Sequence, residues 1–225
     1  MFRRVQALWR QKLLLTVAVS VTFWTGYSIL ARHAWFPLWV PSRTWFDTAI
    51  PFQPEPWSWI YLSQFVIAGV LPWMIDTREM LRRYVTGVTL MSSVSFAVFL
   101  LLPVASPRSM DVAELSGAMK WIARLDGTLN AFPSLHAAFL VFMAGLAGRM
   151  FRASLRTWMV LAGAGWGAAI LYATIATRQH YAADLIAGAA VGALADWIVW
   201  RRAPGVSAAT TISRSKGVAF QDGCR

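Results

Sequence analysis

Long apolar stretches, separated by short clusters of charged residues, run along almost the whole chain. An α-helix needs roughly 20 apolar residues to cross a bilayer core. Six stretches approach that length, at 13–31, 57–75, 85–103, 133–148, 157–176 and 181–200. The pattern predicts an all-α fold, a polytopic membrane helix bundle with six transmembrane helices, of which the fourth is the shortest.

Composition agrees with this pattern. Of the 225 residues, 57% are hydrophobic and only 14% are charged, too few to cover the surface of a soluble domain. We expect one six-span membrane domain over 1–203 and a disordered cytoplasmic tail over 204–225, which is rich in Ser, Thr and Gly. The first span reads as a retained anchor, because its apolar run is long for a cleaved signal peptide.

The basic residues predict an orientation. The net charge is +11, but the cations stand between apolar spans and form no continuous patch for nucleic acid. Fifteen lysines and arginines fall on the side of the termini and six on the other. This excess predicts cytoplasmic termini, with the loops 32–56, 104–132 and 177–180 facing outward from an inner (plasma) membrane. Membrane lipids are then the expected surroundings.

Two of the three histidines, His136 and His180, stand at the beginnings of the fourth and sixth predicted spans. Both of these ends fall on the outward side of the membrane. Span topology alone therefore predicts that the two imidazoles lie at a common depth, where they could form one site.

His180 and Asp184 are four residues apart, a spacing that places both on one face of a helix. A carboxylate that accepts a proton from one imidazole nitrogen leaves the other nitrogen free to attack. A carboxylate within a membrane span is also costly unless it is paired or functional. The alternative interpretation is a structural pair that fixes the end of the helix.

The segment Asn130–His136 reads Asn-Ala-Phe-Pro-Ser-Leu-His. Proline suits the first turn of a helix, so the fourth span is expected to begin near Pro133. Free N–H groups and the helix dipole would form an anion site there, to which Ser134 adds a hydroxyl. His136 could protonate an oxygen leaving a bound phosphate. The alternative is a polar cap that anchors a short helix.

Cations near these histidines are candidates to bind phosphate. Arg108 lies just beyond the third span and Arg178 two residues before His180. Guanidinium groups bind phosphate oxygens in bidentate fashion, although most loop arginines are merely solvated.

No metal or cofactor is expected, because the chain has no HExxH motif, no acidic cluster of the kind that holds magnesium and no nucleotide-binding glycine loop. Gly188 and Gly192 in the sixth span suit close helix packing. The pattern assigns no role to Asp196 or to the proline-rich loop at 41–56.

Phe-Pro-Ser-Leu-His at 132–136 and His-Tyr-Ala-Ala-Asp at 180–184 resemble two motifs of the type 2 phosphatidic acid phosphatase superfamily. The resemblance implies a metal-independent phosphatase or phosphotransferase that acts on a lipid phosphate ester. By this resemblance His180 attacks phosphorus and becomes phosphohistidine, Asp184 supports it, and His136 is the general acid for the leaving group.

Three positions depart from the family pattern. The lysine expected seven residues before Arg-Pro is absent, since Leu101 precedes Arg108 at that spacing and the local order is Pro-Arg. Leu135 replaces the usual glycine, and Thr174 replaces an arginine. With the stretch Asp47–Phe52, these changes resemble the branch of inositol phosphorylceramide synthases. Arg108 and Arg178 are the expected substitutes for the missing phosphate ligands.

Three functions remain open on the sequence. The leading one is a lipid phosphatase or phosphotransferase with a phosphohistidine intermediate. The second is an inositol-phosphate (phosphodiester) transferase to a lipid alcohol. The third is a non-catalytic lipid-binding membrane protein. The head group, the lipid tail, the acceptor and the oligomeric state do not follow from the residues.

Overall fold

The computed structural model describes residues 2–108 and 117–201, and within these ranges the chain is helical with no β-strand. A short 3-10 helix, Leu71–Met74, extends the fourth α-helix. The α-helices of the described ranges are α1 (Phe2–Gln6), α2 (Trp9–Leu30), α3 (Trp45–Ala49), α4 (Pro54–Val70), α5 (Arg78–Leu101), α6 (Gly117–Leu125), α7 (Leu135–Phe151), α8 (Thr157–Ala176) and α9 (Ala182–Arg201). The predicted tail at 204–225 lies outside the described residues.

The predicted membrane helix bundle is confirmed as a fold class. Four helices, α2, α5, α8 and α9, are long and apolar enough to cross a membrane. The second and fourth predicted spans correspond to α4 and α7, which have 17 residues each. Large apolar side chains such as Val66, Leu161 and Ile186 point away from the protein on these helices. Exposed apolar side chains of this kind are suited to contact with the hydrocarbon chains of a bilayer.

Local capping fixes the ends of the helices that carry the motifs. The fourth span begins near Pro133, as expected, but Pro133 precedes the helix, because α7 begins at Leu135. Ser134 is its N-cap, and its hydroxyl accepts a hydrogen bond from the backbone N–H of Ala137 at 3.4 Å. A capping serine satisfies one of the free donors of the first helical turn.

Helices α7 and α9 pack directly against each other through two glycines. A Cβ atom built on Gly188 would overlap the carbonyl oxygen of Ser134, and one built on Gly192 would overlap that of Ala138. Small residues therefore let the two backbones approach closely, as in many membrane helix pairs. The contact begins at the N-terminal end of α7, beside His136.

Asp196, which the sequence left without a role, forms a bidentate ion pair with Arg149. The guanidinium nitrogens lie 2.8 and 2.7 Å from the two carboxylate oxygens. The pair ties the C-terminal ends of α9 and α7, opposite the histidines, and satisfies a charge that would be costly within a membrane span.

The loops that precede α3 and α7 join above the other end of the bundle. Val104 forms isolated backbone bridges to both Trp39 and Asn130. The backbone N–H of Gln53 donates to the carbonyl of Ala176 at 2.9 Å. Loops that are hydrogen-bonded to each other through their backbones therefore cover the end of the bundle that holds the histidines.

Candidate active site

The imidazoles of His136 and His180 lie side by side, with ring centroids 5.5 Å apart and an angle of 63° between the rings. His136 is in the first turn of α7, and His180 lies in the turn between α8 and α9. Both side chains are largely enclosed by protein. The convergence expected from the span topology is therefore observed, through the close packing of α7 on α9.

His180 is held by a main-chain carbonyl. Its Nδ1 lies 2.9 Å from the carbonyl oxygen of Ala131. A carbonyl only accepts hydrogen bonds, so Nδ1 carries the proton and Nε2 keeps its lone pair. In this tautomer Nε2 is the nitrogen that can act as a nucleophile.

His180 and Asp184 lie close together, as their spacing predicted, but they do not share one helical face, because α9 begins only at Ala182. The Asp184 carboxylate lies 3.6 Å from Nδ1 of His180, beyond hydrogen-bond length. It instead accepts a hydrogen bond from the backbone N–H of Tyr181 at 2.8 Å, at the first turn of α9. Asp184 therefore places a negative charge beside the imidazole without orienting it directly.

Both ring nitrogens of His136 face partners. The amide of Gln64 donates through Nε2 to the His136 carbonyl at 2.6 Å, which turns its Oε1 toward Nδ1 at 3.2 Å. On the other side of the ring, Nε2 lies 2.5 Å from the hydroxyl of Tyr61. The Tyr61 hydroxyl donates to the carboxylate of Asp126, so its oxygen is left to accept. Each ring nitrogen of His136 therefore faces an oxygen to which a ring N–H can donate.

Asp126 is the centre of this buried network. Its carboxylate accepts from the hydroxyl of Tyr27 at 2.6 Å as well as from Tyr61, and it lies 3.5 Å from Nε2 of His136. Burial acts to raise the pKa of Asp126, but hydrogen bonding and attraction to His136, with the two tyrosines, hold it well below its usual range. Asp126 therefore remains an anion although it is enclosed.

A family model described as the PAP2 superfamily matches residues 28–198. The chain belongs to the PAP2 superfamily. The matched range includes both histidines, Tyr61, Gln64 and Asp126, and begins one residue after Tyr27. No curated protein and no solved structure matches the chain.

Membership identifies the chain as a membrane enzyme of the phosphatase or phosphotransferase type that works on lipid phosphates. Within the described residues of this PAP2 chain, no three His, Cys, Asp or Glu side chains cluster as metal ligands. The two sequence motifs, at 132–136 and 180–184, carry the two histidines whose rings meet in the structure.

Of the two candidate arginines, the PAP2 site includes Arg108. Its guanidinium donates to the side chain of Gln179 at 3.1 Å and to the backbone carbonyl of Asp126 at 2.9 Å. Burial lowers the pKa of Arg108, an effect that the negative charge of Asp126 opposes. Arg108 is therefore a cation that contacts the residue before His180 and lies beside the network of His136.

Arg178 and Ser134 take other positions. Arg178 donates to the backbone carbonyls of Asp47 at 2.7 Å and Ile50 at 3.1 Å, so its guanidinium holds the loop before α4. The Asp47 carboxylate in turn accepts from the backbone N–H of Ala182 at 2.8 Å and caps α9. Ser134 is fully buried as the cap of α7. The loop at 41–56 therefore supports the turn that carries His180.

A small polar pocket lies beside His180. Its volume is about 10 Å³, which is room for about one water molecule. Asn130, Gln179 and the backbone of Gly127 contribute to its wall. The side-chain nitrogen of Asn130 is buried there and has no hydrogen-bond partner among the described residues. A buried donor of this kind calls for an acceptor, and a phosphate oxygen is one.

Sequence reasoning missed Asp126, Tyr27, Tyr61 and Gln64. The tyrosines come from α2 and α4, 99 and 65 residues from Asp126 in the chain, so no local pattern joins them. One signal was present: Asp126 is the only acidic residue between Glu114 and Asp184. An isolated carboxylate ten residues before a candidate general acid is a reason to ask what it pairs with.

Proposed function

We propose that this PAP2 enzyme cleaves a lipid phosphate ester through a phosphohistidine intermediate on His180. Nε2 of His180 attacks phosphorus, a P–N bond forms and the bond from phosphorus to the leaving oxygen breaks. A ring N–H of His136, released from its partner Tyr61 or Gln64, gives its proton to that oxygen. The observation that carries the proposal is the distance of 5.5 Å between the two ring centroids, which leaves a phosphoryl group within reach of both rings.

The second half-reaction reverses these roles. Water or an alcohol attacks the phosphorus of phosphohistidine, the P–N bond breaks, and His136 takes up the proton of the attacking hydroxyl. Asp184, at 3.6 Å from Nδ1, stabilises the positive charge that His180 carries while it is phosphorylated. We assign no step to a metal ion.

Arg108 and Asn130 are the proposed phosphate ligands. Arg108 is already ordered by Gln179 and the carbonyl of Asp126, so little side-chain freedom is lost when it binds phosphate. Asn130 offers a buried donor without a partner in the described ranges. The free N–H groups of the first turn of α7 complete the proposed anion site.

The proposed topology has six spans. Helix α4 with the 3-10 turn Leu71–Met74, and α7, complete the four longer helices. With the termini cytoplasmic, as the excess of basic residues indicates, the histidines lie at the outer face of the inner membrane.

A transferase is the second candidate function. The replacements at Leu101, Leu135 and Thr174 separate this chain from the usual phosphatase pattern and favour an inositol-phosphate transferase of the inositol phosphorylceramide synthase branch. The pocket beside His180 has room for about one water molecule, so a bound acceptor alcohol could exclude water there.

One experiment tests the enzyme against a lipid carrier and separates the two enzymes. Purified protein in detergent with EDTA is mixed with ³²P-labelled lipid phosphates and phosphodiesters, with and without diacylglycerol or ceramide. Release of inorganic phosphate supports the phosphatase, and label that moves to the added alcohol supports the transferase. Lipid binding without either product contradicts both and leaves a carrier.

A further inference from the structure

A second, larger cavity of about 260 Å³ begins at the histidine site and runs into the helix bundle. His136 and Asp126 line one end of it, together with Tyr27 and Gln64. Lys12 and Trp73 line the opposite end, where the Lys12 ammonium donates to the carbonyl of Trp73 at 2.7 Å. The cavity therefore joins the polar site to the far end of α2.

The wall between these ends is mostly apolar. On α2, lining positions recur every three or four residues from Lys12 to Tyr27, so a continuous stripe of the helix faces the cavity. Phe65 and Ala68 of α4, and Phe139 of α7, face the stripe. A passage that is polar at the histidine end and largely apolar along its length suits an amphiphile with one polar head.

Length and volume restrict the occupant. The fifteen residue steps from Lys12 to Tyr27 correspond to about 22 Å of helix, against a whole bilayer core of about 30 Å. The volume of about 260 Å³ is small for so long a space. It lies below the roughly 300–1,000 Å³ that is usual for compact small-molecule sites. The shape favours one long chain over two chains side by side.

We propose that the substrate is a lipid phosphate with a single long hydrocarbon chain, and that this chain lies in the cavity between α2, α4 and α7. The proposal rests on the proposed function, because the head group must lie at His136 and His180. The chain then reaches past the middle of the bilayer toward Lys12. A lipid with two tails would have to leave one of them outside.

Gly69 gives a way to shorten the cavity. It lines the cavity on α4, is exposed at its edge, and a Cβ atom built on it meets no other atom within 4 Å. Gly69→Phe therefore adds a ring without a backbone clash. Ser20→Phe adds one from the opposite wall on α2. Gly163→Phe is the matched control, because Gly163 also has open space around it but does not line the cavity.

The readout is the ratio of kcat/KM for octadecyl phosphate to kcat/KM for octyl phosphate, which does not depend on the fraction of folded enzyme. Gly69→Phe and Ser20→Phe should each lower this ratio by about tenfold, since methylenes excluded from the cavity no longer gain from burial. Gly163→Phe should leave it unchanged. A ratio that stays the same in both cavity variants, or wild-type activity that is higher on dioctadecanoyl phosphatidic acid than on octadecyl phosphate, overturns the proposal.

A crosslinking experiment separates this proposal from the proposed function. Octadecyl phosphate with a diazirine at its terminal carbon is photolysed with wild-type protein, and the labelled residues are mapped by mass spectrometry. Labelling near Lys12, Leu15 and Trp73 supports the cavity even if no substrate is turned over. Labelling confined to lipid-facing positions of α8 contradicts it, whereas absence of all turnover in the first experiment contradicts the enzymatic function.

Discussion

The carboxylate of Asp126 lies 3.5 Å from Nε2 of His136, and the hydroxyl of Tyr61 hydrogen-bonds to both groups. A buried anion is thus connected to the proposed general acid through a single hydroxyl. The negative charge of Asp126 would stabilise positive charge on His136 during proton transfer. Asp126 touches no reacting atom, so we regard it as a positioning residue.

Asp126→Asn should lower kcat for an alkyl phosphate by about 10²-fold, within the usual range for general acid catalysis. The loss should be much smaller for p-nitrophenyl phosphate, because a good leaving group needs no proton. Steady-state kinetics on the two substrates give the comparison. Tyr61→Phe, which removes only the connecting hydroxyl, should show the same dependence on the leaving group. Equal losses on both substrates in Asp126→Asn would assign Asp126 a structural role alone.

His180→Ala should abolish turnover and any covalent phosphate on the protein, because no nucleophile remains. His136→Ala should keep the nucleophile, so an acid-labile phosphoprotein should accumulate from a substrate with a good leaving group. Rapid quench with ³²P-labelled substrate and mass spectrometry of the labelled peptide measure both results. Wild-type rates in His180→Ala would contradict the assignment of the nucleophile.

Arg108→Ala should impair catalysis, whereas Arg178→Ala should mainly reduce stability. Arg108 lies beside His180, so its loss should raise KM and lower kcat together. Arg178 holds the carbonyls of Asp47 and Ile50, and its loss should cost about 1.5–3 kcal/mol of stability per hydrogen bond from a charged group. Kinetics and thermal unfolding of both variants in detergent provide the test. A stability loss confined to Arg108→Ala, with normal kinetics, would reverse the two assignments.

Stability should depend on the ionisation of Asp126. Its folded pKa lies below the value of about 3.9 in an unfolded chain, so the carboxylate stabilises the fold fully above that pH. Stability should decrease as the pH falls from about 4 toward the folded pKa, because the unfolded chain takes up the proton first. Melting temperatures of wild type and Asp126→Asn, measured against pH, test this prediction. The decrease should be smaller in Asp126→Asn, and an unchanged slope would contradict the prediction.

Gly188→Ala should reduce both stability and turnover. A Cβ atom there overlaps the Ser134 carbonyl, so α7 must move away from α9, and the two histidines move apart with it. Overpacking of this kind costs about 1–3 kcal/mol. Gly165→Ala is the control, because nothing lies within 4 Å of a Cβ atom at that position. Thermal unfolding and kcat measure the two effects, and a Gly188→Ala protein with wild-type values for both would mean that α7 and α9 tolerate a wider separation.

The sequence contained enough to predict the bundle and the meeting of the two histidines. Both predictions depend on span count and direction, which hydropathy and charge report directly. Helix starts were predicted less exactly: Pro133 lies before α7 and not in its first turn, and α9 begins two residues after His180. The spacing between His180 and Asp184 therefore did not produce the expected hydrogen bond.

The partners of the histidines could not be predicted, since they depend on contacts between remote parts of the chain. The acceptor for His180 is the carbonyl of Ala131, 49 residues away, and a backbone carbonyl has no sequence signal of its own. Gln64 and His136 are 72 residues apart. Only the packing of α4 on α7 brings them together.

The carbonyl of Ala131 has a consequence for how this enzyme can change over generations. A side-chain acceptor disappears with one codon change, whereas every amino acid placed at position 131 still presents a carbonyl to Nδ1 of His180. The tautomer of His180 is thus protected against point mutation at its own partner. Nearby residues that bind the head group can therefore change during evolution, and with them the substrate, while the reactive nitrogen keeps its position.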